Sequence, residues 1–172
     1  MKLLILSAPA LAASLAPLAT PVIQVRDIEK APTIAVVGWD AAQAEFGLRT
    51  RLRRDGSHLG DGRAGDHRLY LSSSFVESKG GISHATAHNG KLLRYSSGAV
   101  RDIDACRFGS CSPNQTVGLA VSDGLLRENR DSLVVTLRPK TGRNWTIRLD
   151  KGLIDAYLST IDSVGASLKG EQ

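Results

Sequence analysis

The chain contains two cysteines, Cys106 and Cys111, which lie in the stretch CRFGSCSP with four residues between them. A redox-active pair usually has Cys-x-x-Cys spacing beside a helix amino terminus, and that pattern is absent. A structural zinc site needs two further thiolate or imidazole ligands at matching spacing, and no such motif accompanies the pair. In an exported chain, an even cysteine count favours a disulfide. We therefore predict a Cys106–Cys111 disulfide that closes a short turn and contributes about 2 kcal/mol.

The second feature that could take part in binding is a row of arginines. In the stretch EFGLRTRLRR, Arg49, Arg51 and Arg53 alternate with apolar residues and threonine, which places the three on one face of a strand. Arg54 follows directly, and Arg68 lies on the predicted partner strand. Guanidinium groups bind phosphate and carboxylate in a bidentate manner, so the row predicts a site for an anionic or protein partner. The alternative is an ordinary solvated sheet face whose charges prevent edge-to-edge pairing.

A glycine-rich stretch between residues 55 and 67 gathers acidic residues and histidines: Asp55, Asp61, Asp66, His58 and His67. Carboxylates around glycine can hold calcium, but the spacing does not match an EF-hand loop. Aspartate and glycine are also the residues that tight turns require. The stretch therefore predicts a long turn, with a metal-dependent enzyme site as the alternative.

His84 and His88 are four residues apart, which on a helix would place both rings on one face. The neighbouring glycines and Asn89-Gly90 favour a strand and a turn, in which the two rings are too far apart for one ion. No metal or cofactor is predicted from the sequence. The chain also lacks a Gly-x-Ser-x-Gly elbow, a phosphate loop and a dinucleotide fingerprint, which favours a non-enzymatic role.

The elements that position these residues are mostly strands. Period-two alternation or β-branched runs occur at residues 33–39, 45–53, 67–75, 81–88 and 116–121, and residues 132–149 form the clearest hairpin. The spacing of apolar residues then changes to that of a helix over residues 150–165, with Asp150 able to cap it and Gly165 able to end it. The predicted fold is mainly β, an antiparallel β-sandwich with one C-terminal α-helix packed on it.

The first 19 residues resemble a secretory signal, with Lys2 followed by an apolar run and small residues suited to cleavage. We predict a signal peptide at 1–19, a linker or arm at 20–32, a single domain at 33–165 and a flexible tail at 166–172. Cleavage of this signal would remove Lys2 and leave 21 basic and 17 acidic residues, which gives a net charge of +4. This modest charge and the 5% aromatic content argue against nucleic-acid binding.

A short-loop cysteine pair, a strand, a DGLLRE turn, a two-stranded hairpin and an IDAYLSTIDSV helix follow one another between Cys106 and Val164. This order resembles the carboxy-terminal half of bacterial secreted domains of the invasion-associated locus B type, although their additional cysteines are missing here. The resemblance implies an exported bacterial β-sandwich and carries over no catalytic residue.

Together these features predict a periplasmic or secreted, non-enzymatic envelope domain that has no transmembrane segment once the signal is cleaved. It would have a binding or structural role and contact an envelope protein, or an anionic lipid or polysaccharide, through its arginine-rich strand. The alternative is a secreted hydrolase or metal-dependent enzyme that uses the stretch 55–67.

Overall fold

A computed structural model describes residues 20–28, 33–59, 67–78, 81–97 and 117–170. Within these ranges, ten strands and three helices follow in chain order: β1 Pro21–Ile28, β2 Thr33–Asp40, β3 Gln43–Arg53, β4 His67–Leu71, α1 Ser73–Ser78, β5 Ile82–Ala87, β6 Leu92–Leu93, β7 Tyr95–Ser97, β8 Val117–Val121, α2 Asp123–Glu128, β9 Ser132–Pro139, β10 Trp145–Asp150 and α3 Lys151–Gly170. The strands form a six-stranded sheet in the order β1-β2-β3-β4-β8-β7 and a four-stranded sheet in the order β10-β9-β5-β6. All described pairs are antiparallel, which confirms the predicted mainly β, sandwich-like fold with a C-terminal helix.

The alternation of apolar residues determines which side of each sheet faces the core. Leu133, Val135 and Leu137 of β9 pair with Leu149, Ile147 and Trp145 of β10, as the hairpin pattern predicted. The leucines and Ile147 are buried, whereas Trp145 is 40% exposed. Each fully buried leucine or isoleucine contributes about 1.5–3 kcal/mol, so this hairpin forms a substantial part of the core.

Helix α3 packs on strands β1 and β2 of the six-stranded sheet and also contacts β10. Gly38 of β2 allows this close approach, since a Cβ atom there would lie 2.7 Å from Cδ1 of Ile23 and 3.1 Å from Cδ2 of Tyr157. The buried face of the helix carries Ile154, Tyr157, Leu158 and Ile161. The helix therefore covers the β1–β2 part of one face of this sheet and brings the Tyr157 ring onto it.

Three segments differ from the sequence predictions. Residues 21–28, expected to be an arm, form strand β1 paired along its whole length with β2; Pro21 is tolerated as the first residue of an edge strand. Strand β4 ends at Leu71 because the Ser72 hydroxyl accepts a hydrogen bond from the Phe75 N–H and starts helix α1. Helix α3 continues past Gly165 to Gly170, and Leu168, in the expected tail, is 7% exposed.

Among the described residues, no helix is both long enough and apolar enough to cross a membrane. The signal peptide predicted at 1–19 and the Cys106–Cys111 pair lie outside the described residues.

Candidate functional site

The predicted arginine row lies on the side of the six-stranded sheet opposite helix α3. Leu48 is paired with Gly38, where an added Cβ atom would point toward helix α3. The side chain of Leu48 therefore lies on the helix side, and the odd-numbered residues of β3 from Gly47 to Arg53 lie on the other side. Arg68 of β4 is directly paired with Arg49, as the sequence predicted for a partner strand. Arg26 of β1 lies on the same side through its pairing with Ala35. We call this side the arginine face: Arg26, Arg49, Arg51, Arg53 and Arg68.

Exposure varies along the arginine face. Arg53 is exposed, Arg51 and Arg68 are half-buried, and Arg49 is only 5% exposed. Arg49 Nη1 donates to the Tyr70 hydroxyl over 3.4 Å, and its Cζ lies 5.8 Å from the centre of the Tyr70 ring. That position suits a cation–π contact. Arg49 is therefore buried within the structure, whereas Arg53 is the most exposed arginine of this face, and Arg26, Arg51 and Arg68 are half-buried.

Arg54 lies apart from the arginine face, in the turn after β3. Its Nη2 donates to Oδ2 of Asp27 over 2.8 Å, and both side chains are about half exposed. An exposed pair of this kind contributes at most about 1 kcal/mol. Its proximity to the row in sequence does not place its guanidinium among the others.

Within the described residues, the arginine-face side of β1 to β4 carries no acidic residue in the regularly paired stretches, which are residues 22–26, 33–39, 47–53 and 68–70. Glu45, which is exposed, lies in the irregular stretch of β3 between Gln43 and Gly47, where the β2–β3 pairing shifts register. Sequence reasoning missed Arg26 because residues 20–32 were interpreted as a linker or arm. The period-two spacing that places Val22, Gln24 and Arg26 on one side of a strand was nevertheless visible in the sequence.

A second cluster forms on the opposite, core-facing side of the same sheet. One ligand atom from each of His58, His67 and Asp123 lies within 4.8 Å of the other two. His67 begins β4, Asp123 begins α2, and His58 forms an isolated bridge with Leu52 of β3. The pairing of His67 with Val121 places the first turn of α2 beside the imidazole. We call His58, His67 and Asp123 the histidine centre.

Each member of the histidine centre is oriented by a neighbouring polar group. His58 Nδ1 lies 3.1 Å from Thr50 Oγ1, and His67 Nδ1 lies 3.3 Å from the Tyr157 hydroxyl oxygen. His67 Nε2 lies 3.1 Å from Oδ1 of Asp123. The other carboxylate oxygen of Asp123 accepts a hydrogen bond of 2.7 Å from Arg127 Nε. These bonds orient all three side chains around one point.

Burial and charge define the protonation states at this centre. Burial raises the pKa of Tyr157 well above its ordinary value, so the phenol stays protonated and can donate to Nδ1 of His67. Partial burial is the largest single influence on the pKa of Asp123, and it acts to raise this pKa. The hydrogen bonds from Arg127 and His67 and their charges outweigh burial and lower it. Asp123 is therefore a carboxylate at neutral pH.

An open pocket of about 660 Å³ adjoins the histidine centre, lined among others by Gly56, His58, Asp162 and Lys169. The turn that carries His58 contacts helix α3 backbone to backbone. Gly56 has a φ of 75°, and a Cβ atom there would lie 2.7 Å from the carbonyl oxygen of Gly165. Only glycine accommodates both constraints, and this contact places His58 between the sheet and the helix.

Comparisons with protein families, curated proteins and solved structures find no match for this chain. The resemblance to invasion-associated locus B domains accordingly stays a prediction.

The remaining sequence candidates are distributed elsewhere. His84 lies on β5 with its Nδ1 3.3 Å from Ser83 Oγ, and His88 is exposed in the following turn. Asp55 accepts hydrogen bonds from the Ser57 hydroxyl and backbone N–H, which lower its pKa and are typical of turn chemistry. Asp61 and Asp66 lie outside the described residues. Sequence reasoning grouped His58 with His67 but did not find Asp123, which is 56 residues beyond His67.

Proposed function

We propose that this protein is an exported, non-enzymatic domain that binds an anionic component of the cell envelope through its arginine face. The observation that carries the proposal is the clustering of charge: five arginines on one side of β1, β3 and β4, without an acidic residue at the described, regularly paired positions of that side. The proposed export rests on the signal-like residues 1–19.

The geometry favours an extended anion over a small one. Side chains two residues apart on a strand are separated by about 7 Å, and neighbouring strands by about 4.8 Å. Arg51, Arg53 and Arg68 therefore form an array of guanidinium groups rather than one convergent pocket. Such an array suits repeated phosphate or carboxylate groups, as in a layer of lipid headgroups or a polysaccharide. Each basic residue near an anionic surface contributes about 1 kcal/mol.

Charge reversal at two positions tests the proposal. The double substitution Arg51→Glu and Arg53→Glu should weaken binding to phosphatidylglycerol-containing vesicles at least about 30-fold, the equivalent of about 1 kcal/mol for each position. Co-sedimentation with anionic and zwitterionic vesicles measures this effect, and a soluble anionic polysaccharide tests the other source of anions. Arg49 is left unchanged because it is buried.

A matched control separates the arginine face from net charge. Arg138 and Arg143 are exposed, at the end of β9 and in the turn before β10. Their replacement by glutamate changes the charge of the protein by the same amount and should leave binding within about twofold, because both belong to the β9–β10 hairpin of the other sheet and not to the arginine face. Equal losses in both double variants, or no loss in the first, would refute the proposal. Failure of the wild type to bind either anion would leave a protein partner as the alternative.

A further inference from the structure

The histidine centre has the composition and arrangement of a transition-metal site. We propose that His58, His67 and Asp123 bind a divalent zinc-class ion, independently of the arginine face. Two imidazole nitrogens and one carboxylate oxygen match a known three-residue zinc ligand set, whereas magnesium and calcium prefer oxygen ligands alone. The three ligand atoms already lie within 4.8 Å of one another.

Ring geometry supports a shared ion. The His58 and His67 ring centres are 5.1 Å apart, and the ring planes meet at 86°. Two imidazoles on one tetrahedral ion, each bound at about 2.0 Å, have ring centres about 5 Å apart. The observed separation therefore needs little rearrangement to admit an ion between the two rings.

The surrounding hydrogen bonds are those that orient metal ligands. A histidine that binds a metal through one nitrogen is usually held by a hydrogen bond at the other, and ligating carboxylates are held in turn. Thr50 does this for His58, Tyr157 for His67 and Arg127 for Asp123. When the ion binds Nε2 of His67, the ring proton resides on Nδ1, and this N–H donates a hydrogen bond to the Tyr157 hydroxyl oxygen.

Access and coordination number define what this site could do. The His67 side chain is 0% exposed, but that of Asp123 is 29% exposed and His58 lines the adjoining pocket. An ion can thus enter from solvent without unfolding the sheet. Three protein ligands leave one tetrahedral position for water or a small ligand.

Zinc titration of the purified protein by calorimetry tests the site. We expect one Zn²⁺ per chain and a tetrahedral visible spectrum with Co²⁺. His58→Ala should weaken Zn²⁺ binding at least about 100-fold while circular dichroism stays unchanged, because His58 is only half-buried. Thr50→Val keeps the side-chain shape and removes the bond to His58, so it should weaken binding about 10-fold or more.

Two control variants replace the remaining histidines and the two cysteines of the chain. The variants His84→Ala with His88→Ala, and Cys106→Ser with Cys111→Ser, should retain one Zn²⁺ per chain. No stoichiometric binding by the wild type would overturn the proposal and leave the histidine centre as a hydrogen-bonding network only. Loss of binding in either control pair, or full binding by His58→Ala, would also overturn it.

Discussion

Replacing Arg49 with glutamate should lower the free energy of unfolding by about 3–5 kcal/mol, because it removes a buried cation and places an anion at the same position. Arg49 is 5% exposed. It donates a hydrogen bond to the Tyr70 hydroxyl group and lies over the face of the Tyr70 ring. Urea unfolding followed by circular dichroism measures the change.

Arg53→Glu is the matched control for this experiment. It lies four residues along the same strand face but is exposed, so its substitution should change stability by no more than about 0.5 kcal/mol. If Arg49→Glu were as stable as Arg53→Glu, the Arg49 side chain would have to be solvated. In that case it would belong with the more exposed arginines of the arginine face.

Replacing Tyr157 with alanine should cost about 3–5 kcal/mol, the range observed for removal of large buried rings. Tyr157 is 0% exposed, lies against Gly38 and holds His67 through its hydroxyl group. The variant thus leaves a cavity between α3 and the sheet and removes the partner of a buried imidazole nitrogen. Urea unfolding in the presence of a metal chelator isolates these contributions from ion binding.

Tyr157→Phe separates the ring from its hydroxyl group. It preserves the packing and should cost about 1–3 kcal/mol, the penalty for a buried polar group that loses its hydrogen bond. Stability equal to wild type would show that the Tyr157–His67 bond adds nothing to the fold. A loss as large as that of Tyr157→Ala would contradict the assignment of most of the effect to packing.

Local patterns predicted the parts of the fold that depend on local sequence. Strict alternation in β9 and β10 predicted their pairing, because each strand has one buried side and a short turn joins them. The helical spacing of Ile154, Tyr157 and Ile161 likewise predicted the buried face of α3. The helix end was harder to predict, since the helix continues through Gly165, whose carbonyl oxygen lies against Gly56.

The candidate sites depended on distant pairings that local patterns do not reveal. Asp123 reaches His67 because β8 pairs with β4, and Val121 opposite His67 is followed directly by the first turn of α2. Alternation placed Arg49 on the correct side of β3, but it carries no information about burial on that side. The contrast between Arg49 and Arg53 is therefore visible only in the folded protein.

Nuclear magnetic resonance can test anion binding by the arginine face at the level of single residues. A ¹⁵N-labelled sample would be titrated with a soluble short-chain phosphatidylglycerol, and backbone and arginine Nε–H signals followed. We predict saturable shifts at Arg51, Arg53 and Arg68, weakened by salt, with β9 and β10 unchanged. Shifts spread over both sheets, or confined to residues away from the arginine face, would contradict the proposed function.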